Sequence, residues 1–223
     1  MRPTPADGPL GAILAGGESR RYGSAKARAV VDGRPLIVRA WLAMRHVAEP
    51  VLIANDDAAN RWRPVRRRPD TTPGVGPVGG IATALAWAAE EGRPGALILA
   101  CDMPFVTPGL LRLLLDRARA NPAANAVLPA STGPAGFEPL CGYYSVGAAS
   151  AVADSIAAGD YGVARLATRL DAVILSLDEV RGIGAPERLF FNVNTLADHE
   201  LAERLAAVTA DPTISQTPES GSE

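Results

Sequence analysis

The chain has 223 residues, 48% of them apolar, which is enough for one sizeable hydrophobic core and too many for disorder as the dominant state. Its 22 basic and 24 acidic residues give a net charge of −2 and a pI near 5.8, which excludes capture of nucleic acid or an anionic membrane by bulk positive charge. Two cysteines without CxxC spacing and two distant histidines leave no legible disulfide framework or zinc site.

In chain order, residues 1–9 are a polar lead without the apolar core of a signal peptide, and no apolar run reaches the roughly 18 residues of a membrane span. A cytoplasmic protein is expected. Residues 10–15 (LGAILA) predict a short buried strand, and 51–54, 96–100 and 126–128 repeat the pattern. Continuous apolar runs of this length fit parallel strands covered on both faces. Helices are expected over 35–47, 79–91 and 108–120, the last with Thr107 as N-cap and Pro108 as first helical residue. Residues 140–144 are expected to add an antiparallel strand. Helices over 148–157 and 163–170, strands over 172–177 and 189–193, and a closing helix over 196–208 follow. The alternation predicts an α/β fold with a Rossmann-like, mainly parallel sheet and helices on both faces. No linker divides residues 10–208, so one domain is expected, and the tail 209–223, rich in Ser, Thr, Pro, Gly and Glu, predicts disorder.

The first strand runs into Gly16-Gly17-Glu18-Ser19-Arg20-Arg21-Tyr22-Gly23-Ser24-Ala25-Lys26, whereas α/β connections usually take only about 2–6 residues. Its glycines let backbone N–H groups approach phosphate oxygens, and Ser19, Arg20, Arg21 and Lys26 supply further donors. The position, at the carboxyl end of the first parallel strand, favours a triphosphate cradle over an ordinary solvated loop. Lys26 stands out because the other 21 basic residues are all arginine. The loop lacks the Gly-Lys-Ser/Thr ending of a P-loop. Gly74-Val75-Gly76-Pro77-Val78-Gly79 matches G-x-G-x-x-G, but no apolar strand leads into it, which makes it a decoy as a dinucleotide fingerprint. It could still place amides near a nucleotide.

Three further places carry candidate chemistry. Asp102, at the carboxyl end of the 96–100 strand, is placed either to hold Mg2+ together with phosphate oxygens or to close a turn on its own backbone. Asn192 and Asn194, two apart on an extended segment, point to one face and Val193 to the other, while Thr195-x-x-Asp198 resembles a capping box. Arg61, Arg63, Arg66, Arg67 and Arg68 concentrate five charges in eight positions, more in keeping with a solvated face than with phosphate binding.

The motif Leu14-Ala15-Gly16-Gly17-x-Ser19-x-Arg21-x-Gly23-x-x-Lys26, followed by Val31-Asp32-Gly33-Arg34-Pro35-Leu36, resembles the signature of molybdenum cofactor guanylyltransferases. Blocks similar to theirs recur in order at Gly76-Pro77-Val78-Gly79-Gly80, Cys101-Asp102-Met103-Pro104, Glu138-Pro139-Leu140-Cys141 and Phe190-Phe191-Asn192-Val193-Asn194-Thr195. Tyr22, Ala25 and Leu196 depart from the usual methionine, aspartate and proline. Ala15-Gly16-Gly17 resembles the guanylyl branch more than the cytidylyl one, and Ala25 differs from the proline of sugar-nucleotide relatives.

The resemblance implies transfer of GMP from GTP to the phosphate of molybdenum-molybdopterin, with release of pyrophosphate. It implies catalytic roles for Lys26, Asp102 and Arg21, with Asp102 holding Mg2+. Nucleotide contacts are implied at Leu14, Ala15, Gly16, Gly17, Ser19, Lys26, Asn55, Asp70 and Asp102, and acceptor contacts at Asn192 and Asn194. Asn55 and Asp70 could accept from the N–H groups of guanine, or serve as ordinary turn residues. Residues 138–144 could line the pterin side through Tyr143 and Tyr144, or these could be core tyrosines. Expected partners are GTP, molybdenum-molybdopterin and a molybdoenzyme apoprotein or its chaperone, with neither nucleic acid nor membrane. The rival readings are a CTP-dependent or sugar-phosphate transferase of the same fold and a non-catalytic nucleotide-binding adaptor.

Overall fold

The computed structural model describes residues 8–15, 29–55 and 65–210. Gly16, Gly17, Ser19, Arg21, Lys26, Arg61, Arg63 and the tail beyond residue 210 lie outside the described residues.

Nine strands and eight α-helices are described. In chain order they are β1 (Leu10–Leu14), β2 (Val30–Val31), β3 (Arg34–Pro35), α1 (Leu36–Met44), β4 (Glu49–Ile53), β5 (Arg66–Arg68), α2 (Pro77–Glu90), β6 (Gly95–Ala100) and α3 (Pro108–Ala120). Then come β7 (Ala126–Pro129), β8 (Cys141–Ser145), α4 (Ala149–Ala157), α5 (Val163–Arg169), β9 (Val173–Leu175), α6 (Leu177–Arg181), α7 (Pro186–Leu189) and α8 (Leu196–Ala210). Seven strands form one sheet in the order β5-β4-β1-β6-β8-β7-β9, and β2 pairs with β3 in a separate hairpin. β1, β4, β5 and β6 run parallel, β8 runs against both β6 and β7, and β9 is parallel to β7. The expected α/β class, the mainly parallel sheet and its antiparallel insertion are all present.

Side-chain alternation along the strands divides the interior into two layers. Ile13, Leu52, Leu97 and Leu99 pack with Ile37, Ala40 and Met44 of α1 and with Leu110, Leu111 and Leu114 of α3. Leu10, Ala12, Leu14, Val51, Ile53 and Ile98 face the other way, onto Ile81 and Leu85 of α2, Val152 of α4 and Leu166 of α5. Gly11 makes the first layer possible, because a Cβ there would lie 2.7 Å from Met44 Cγ and 2.9 Å from the Glu49 carbonyl oxygen. Thr107 caps α3 as expected, its Oγ1 accepting from the Leu110 amide at 3.3 Å.

A smaller third cluster matters more for function. Val31, Leu36, Phe105, Val193, Ala202 and Ala206 join the hairpin, the segment after β6, the asparagine segment and α8. Glu203 of α8 accepts from the Asp32 amide at 3.1 Å, and His199 bonds through Nε2 to the Val30 carbonyl. Asp32 and Gly33 form the hairpin turn with φ of 50° and 68°, a conformation that the Asp-Gly pair tolerates.

Several expectations need correction. Residues 189–193 are not a strand. Leu189 ends α7, and 191–194 belong to no strand, their apolar residues being buried by packing rather than by a ladder. The expected strand at 172–177 contracts to β9, since Ser176 starts α6 with a capping box on Glu179. As expected, no apolar strand leads into Gly74-Val75-Gly76; the strand upstream of it is β5, made only of arginines, on the sheet edge. Arg66 bonds Glu49 at 2.9 Å and also Glu91, and the guanidiniums of Arg66 and Arg68 lie 5.1 Å and 4.5 Å from the Trp87 ring centroid. These two arginines serve the sheet edge.

Candidate active site

The parallel strands bring their carboxyl ends to one edge, where Leu14 of β1 stands between Ile53 of β4 and Ala100 of β6. The chain crosses from one side of β1 to the other between β4 and β6, which opens a crevice at that end. The loop bearing Lys26 leaves from Ala15, whose amide donates to the Ile53 carbonyl at 3.0 Å. Leu14 and Ala15 are both buried, so what they can offer a nucleotide is mainly backbone.

Asp102 follows β6 directly. The Cys101 amide donates to the Leu14 carbonyl at 3.0 Å, which ties the start of this turn to β1. The Asp102 carbonyl in turn accepts from the Val193 amide at 3.0 Å. That bond draws the asparagine segment beside the aspartate. Val193 is fully buried while Asn194 is exposed and Asn192 partly so, matching the expected division of faces. Asn192 Nδ2 donates to the Phe190 carbonyl at 3.0 Å. The capping box forms as well: Thr195 Oγ1 accepts from the Asp198 amide at 3.1 Å, and Asp198 Oδ2 accepts from the Thr195 and Asn194 amides at 2.8 and 2.9 Å. It uses the backbone of Asn194 and not its amide group.

A second carboxylate lies beside Asp102. Glu138 Oε1 accepts from the Leu140 amide at 3.1 Å, and the Leu140 carbonyl accepts from the Ala100 amide at 2.9 Å, so Glu138 is fixed to the end of β6. Burial pushes the Glu138 carboxyl above its usual range and the negative charge of Asp102 pushes it further, against the lowering effect of the Leu140 bond. The quoted Glu138-Pro139-Leu140 block held this residue, but its nearness to Asp102 depends on β8 inserting beside β6, which no local pattern encodes. Tyr144 is fully buried and donates from its hydroxyl to the Pro139 carbonyl at 2.8 Å, while the Tyr143 hydroxyl donates to the Pro94 carbonyl at 3.1 Å. Both tyrosines are core residues, so the core reading of them holds.

On the far side of β1, Asn55 and Asp70 meet. Asn55 Oδ1 accepts from the Asp70 amide at 2.7 Å. Asp70 Oδ1 accepts from the Thr72 amide at 2.9 Å and from the Thr83 hydroxyl at 3.2 Å. Thr83, buried on α2, also accepts from the Thr71 amide at 3.0 Å. The first turn of α2 closes on this pair, because a Cβ on Gly79 would lie 2.8 and 2.9 Å from the Asp70 carboxylate oxygens. The glycine-rich stretch is thus the backbone seat of Asp70, a use that sequence spacing did not reveal.

Among the described residues no group of three His, Cys, Asp or Glu side chains could cage a metal ion, and no helix is long and apolar enough to cross a membrane.

The sequence profile of the MobA-like NTP transferase domain matches residues 11–173, most of the sheet together with Asp102 and Glu138, and ends before Asn192 and Asn194. The chain belongs to the MobA-like NTP transferase family. Its fold and class are those of a nucleotidyltransferase. A "probable molybdenum cofactor guanylyltransferase" of Pelotomaculum thermopropionicum is 33% identical to this transferase over 84% of this chain and 88% of the relative. The molybdenum cofactor guanylyltransferase of Cereibacter sphaeroides is 36% identical over 88% of this chain and 96% of its own. Molybdopterin-guanine dinucleotide biosynthesis protein A from Archaeoglobus fulgidus superposes with a TM-score of 0.75 at 26% identity, covering 89% of this chain and 99% of that one. A 2-C-methyl-D-erythritol 4-phosphate cytidylyltransferase from Thermus thermophilus, at 20% identity and a TM-score of 0.62, covers 89% of this chain and 99% of its own and shares the fold.

Proposed function

We propose that this transferase moves GMP from GTP to the terminal phosphate of molybdenum-molybdopterin. An acceptor phosphate oxygen forms a bond to the α-phosphorus, the bond from that phosphorus to the bridging oxygen of the β-phosphate breaks, and pyrophosphate leaves with the electron pair. The observation that carries the reading is the bond from Val193 to Asp102, which sets the asparagine segment against the aspartate at the crevice where the triphosphate loop begins. The identity to molybdenum cofactor guanylyltransferases across most of the chain supports the choice of guanine and pterin.

The acceptor phosphate is already an anionic nucleophile, so the protein's task is alignment and charge compensation. Lys26 supplies a compact positive charge, Arg21 a second donor, and Gly16, Gly17 and Ser19 backbone and hydroxyl donors to the triphosphate. Asn55 and Asp70 hold the guanine side, and Asn192 and Asn194, neutral donors, receive the anionic acceptor without repelling it. Mg2+ fits the donor set: Asp102, with Glu138 close enough to feel its charge, provides hard carboxylate oxygens at the end of β6. The ion would neutralise charge building on the phosphates, with Asp102 as its protein ligand. The product passes to a molybdoenzyme apoprotein or its chaperone, in the cytoplasm.

Thermal shift with GTP, CTP, ATP and UTP, each with and without Mg2+, tests the reading. A ligand at 100 times its dissociation constant stabilises by about 2.7 kcal/mol. GTP with Mg2+ should give the largest shift, and pyrophosphate should appear only when molybdenum-molybdopterin is added. A larger CTP shift would move the chain to the cytidylyl branch, and nucleotide binding without pyrophosphate release would make it an adaptor.

A further inference from the structure

We infer that Arg39 is a positioning residue that holds the chain leaving the Lys26 loop in fixed register with the Asp102 turn, an inference that rests on the guanylyl-transfer reading for its catalytic consequence. Arg39 stands on α1 with its side chain mostly covered, and its guanidinium spans two segments that have no strand pairing with each other. Nε donates to the Pro104 carbonyl at 3.1 Å, Nη1 donates to the Val31 carbonyl at 3.0 Å, and Nη1 also lies 3.4 Å from Asp32 Oδ2. Its Cζ is 5.8 Å from the centroid of the Phe105 ring, and Arg188 approaches the same ring at 5.0 Å. Val31 comes a few residues after Lys26, and Pro104 lies just beyond Asp102. One rigid fork therefore sets the distance between the hairpin that follows the Lys26 loop and the turn that bears Asp102.

The planar guanidinium can serve two carbonyls in different directions while lying over a ring, which a lysine ammonium cannot reproduce. The fold does not depend on it. α1 is already seated by Leu36, Ile37, Ala40, Ala43 and Met44, all buried. What Arg39 adds is alignment, and small misplacements at a transfer site can cost about 10²-fold in rate.

Arg39→Met and Arg39→Lys separate alignment from folding. Both should lower kcat for pyrophosphate release about tenfold or more, leave the KM for GTP within about threefold, and keep the melting temperature close to that of the parent. Amide hydrogen exchange in Arg39→Met should quicken in 30–33 and in 103–105 together, with protection in β1 and β6 unchanged. Parental kcat in Arg39→Met, or unchanged exchange in either segment, would overturn the inference. If the parent itself transfers no GMP, the functional reading fails, and the exchange experiment still decides whether Arg39 couples the two segments.

Discussion

The amide of Val193 donates to the carbonyl of Asp102 at 3.0 Å, and the Val193 side chain is at the same time fully buried against Val31, Leu36 and Phe105. Backbone and side chain of one residue thus fasten the asparagine segment to the aspartate turn. Val193→Ala removes two methyl groups from that small cluster and should cost about 2 kcal/mol, equivalent to roughly a thirtyfold loss of amide protection in α8. Hydrogen exchange with and without the substitution reads this directly, and unaltered protection would mean that the cluster does not hold the segment.

Asp102→Asn keeps the size of the side chain and the backbone bond to Val193 while removing the charge proposed to hold Mg2+. Turnover should fall by about 10²–10³-fold with little change in melting temperature. Steady-state pyrophosphate release at limiting Mg2+ is the measurement, and parental turnover there would remove Asp102 from the metal.

Gly79→Ala and Gly80→Ala differ by one position and should differ in outcome. A Cβ on Gly79 meets the Thr72 carbonyl at 2.6 Å and the Asp70 carboxylate just beyond, whereas on Gly80 it meets only the Leu14 side-chain tip at 3.1 and 3.2 Å. The first should cost about 1–3 kcal/mol by overpacking and raise the KM for GTP by displacing Asp70. The second should be nearly neutral, since the helix gain of alanine over glycine offsets a small shift of Leu14. Paired melts and GTP titrations compare them, and equal effects would detach Asp70 from the base side.

Glu138 sets a pH dependence. Its carboxyl is raised by burial and by Asp102, so the folded protein holds that proton more tightly than the unfolded chain. The resulting stability is present in acid, below the unfolded value, and is lost as pH rises through the folded value. Glu138→Gln keeps an oxygen for the Leu140 amide and cannot ionise. It should melt with the parent at about pH 4 and above the parent at about pH 8. A constant difference between the two melting curves across that range would refute the assignment.

Lys26→Arg tests the lone lysine. Arginine is unremarkable on the surface of this chain, but its longer, directional fork should not replace a compact ammonium on a triphosphate. Activity should fall by about 10²-fold while the nucleotide-free melting temperature stays near normal. An arginine variant as active as the parent would make Lys26 one more surface cation.

How legible these features were depended on what buries each residue. β1, β4, β6 and β7 are covered on both faces and announce themselves as apolar runs, and Thr107 with Pro108 marks the start of α3. β5 carries only arginines because edge strands need not be apolar, so its pattern looked like a solvated face and not a strand. Residues 189–193 looked like a strand because Leu189 and Phe190 are buried in the first layer and Val193 in the third cluster, and apolar letters do not say what covers them. Asp102, Asn192 and Asn194 could be nominated from their own surroundings. That Val193 joins them, that Glu138 stands beside Asp102 and that Arg39 spans two loops are facts of tertiary pairing, invisible to local spacing.

Among the described residues the third cluster has six buried members, yet it carries the hairpin beyond Lys26, the turn of Asp102 and the segment of Asn192 and Asn194. The first layer of the sheet reaches the same segments only at their inner ends, through Cys101, Met103, Leu189 and Phe190. Small cooperative units open at lower free energy than the body of a domain. Warming should therefore silence the enzyme while its sheet is still intact, and the heat tolerance of catalysis would be set by the docking of α8, well below the temperature at which the strands part.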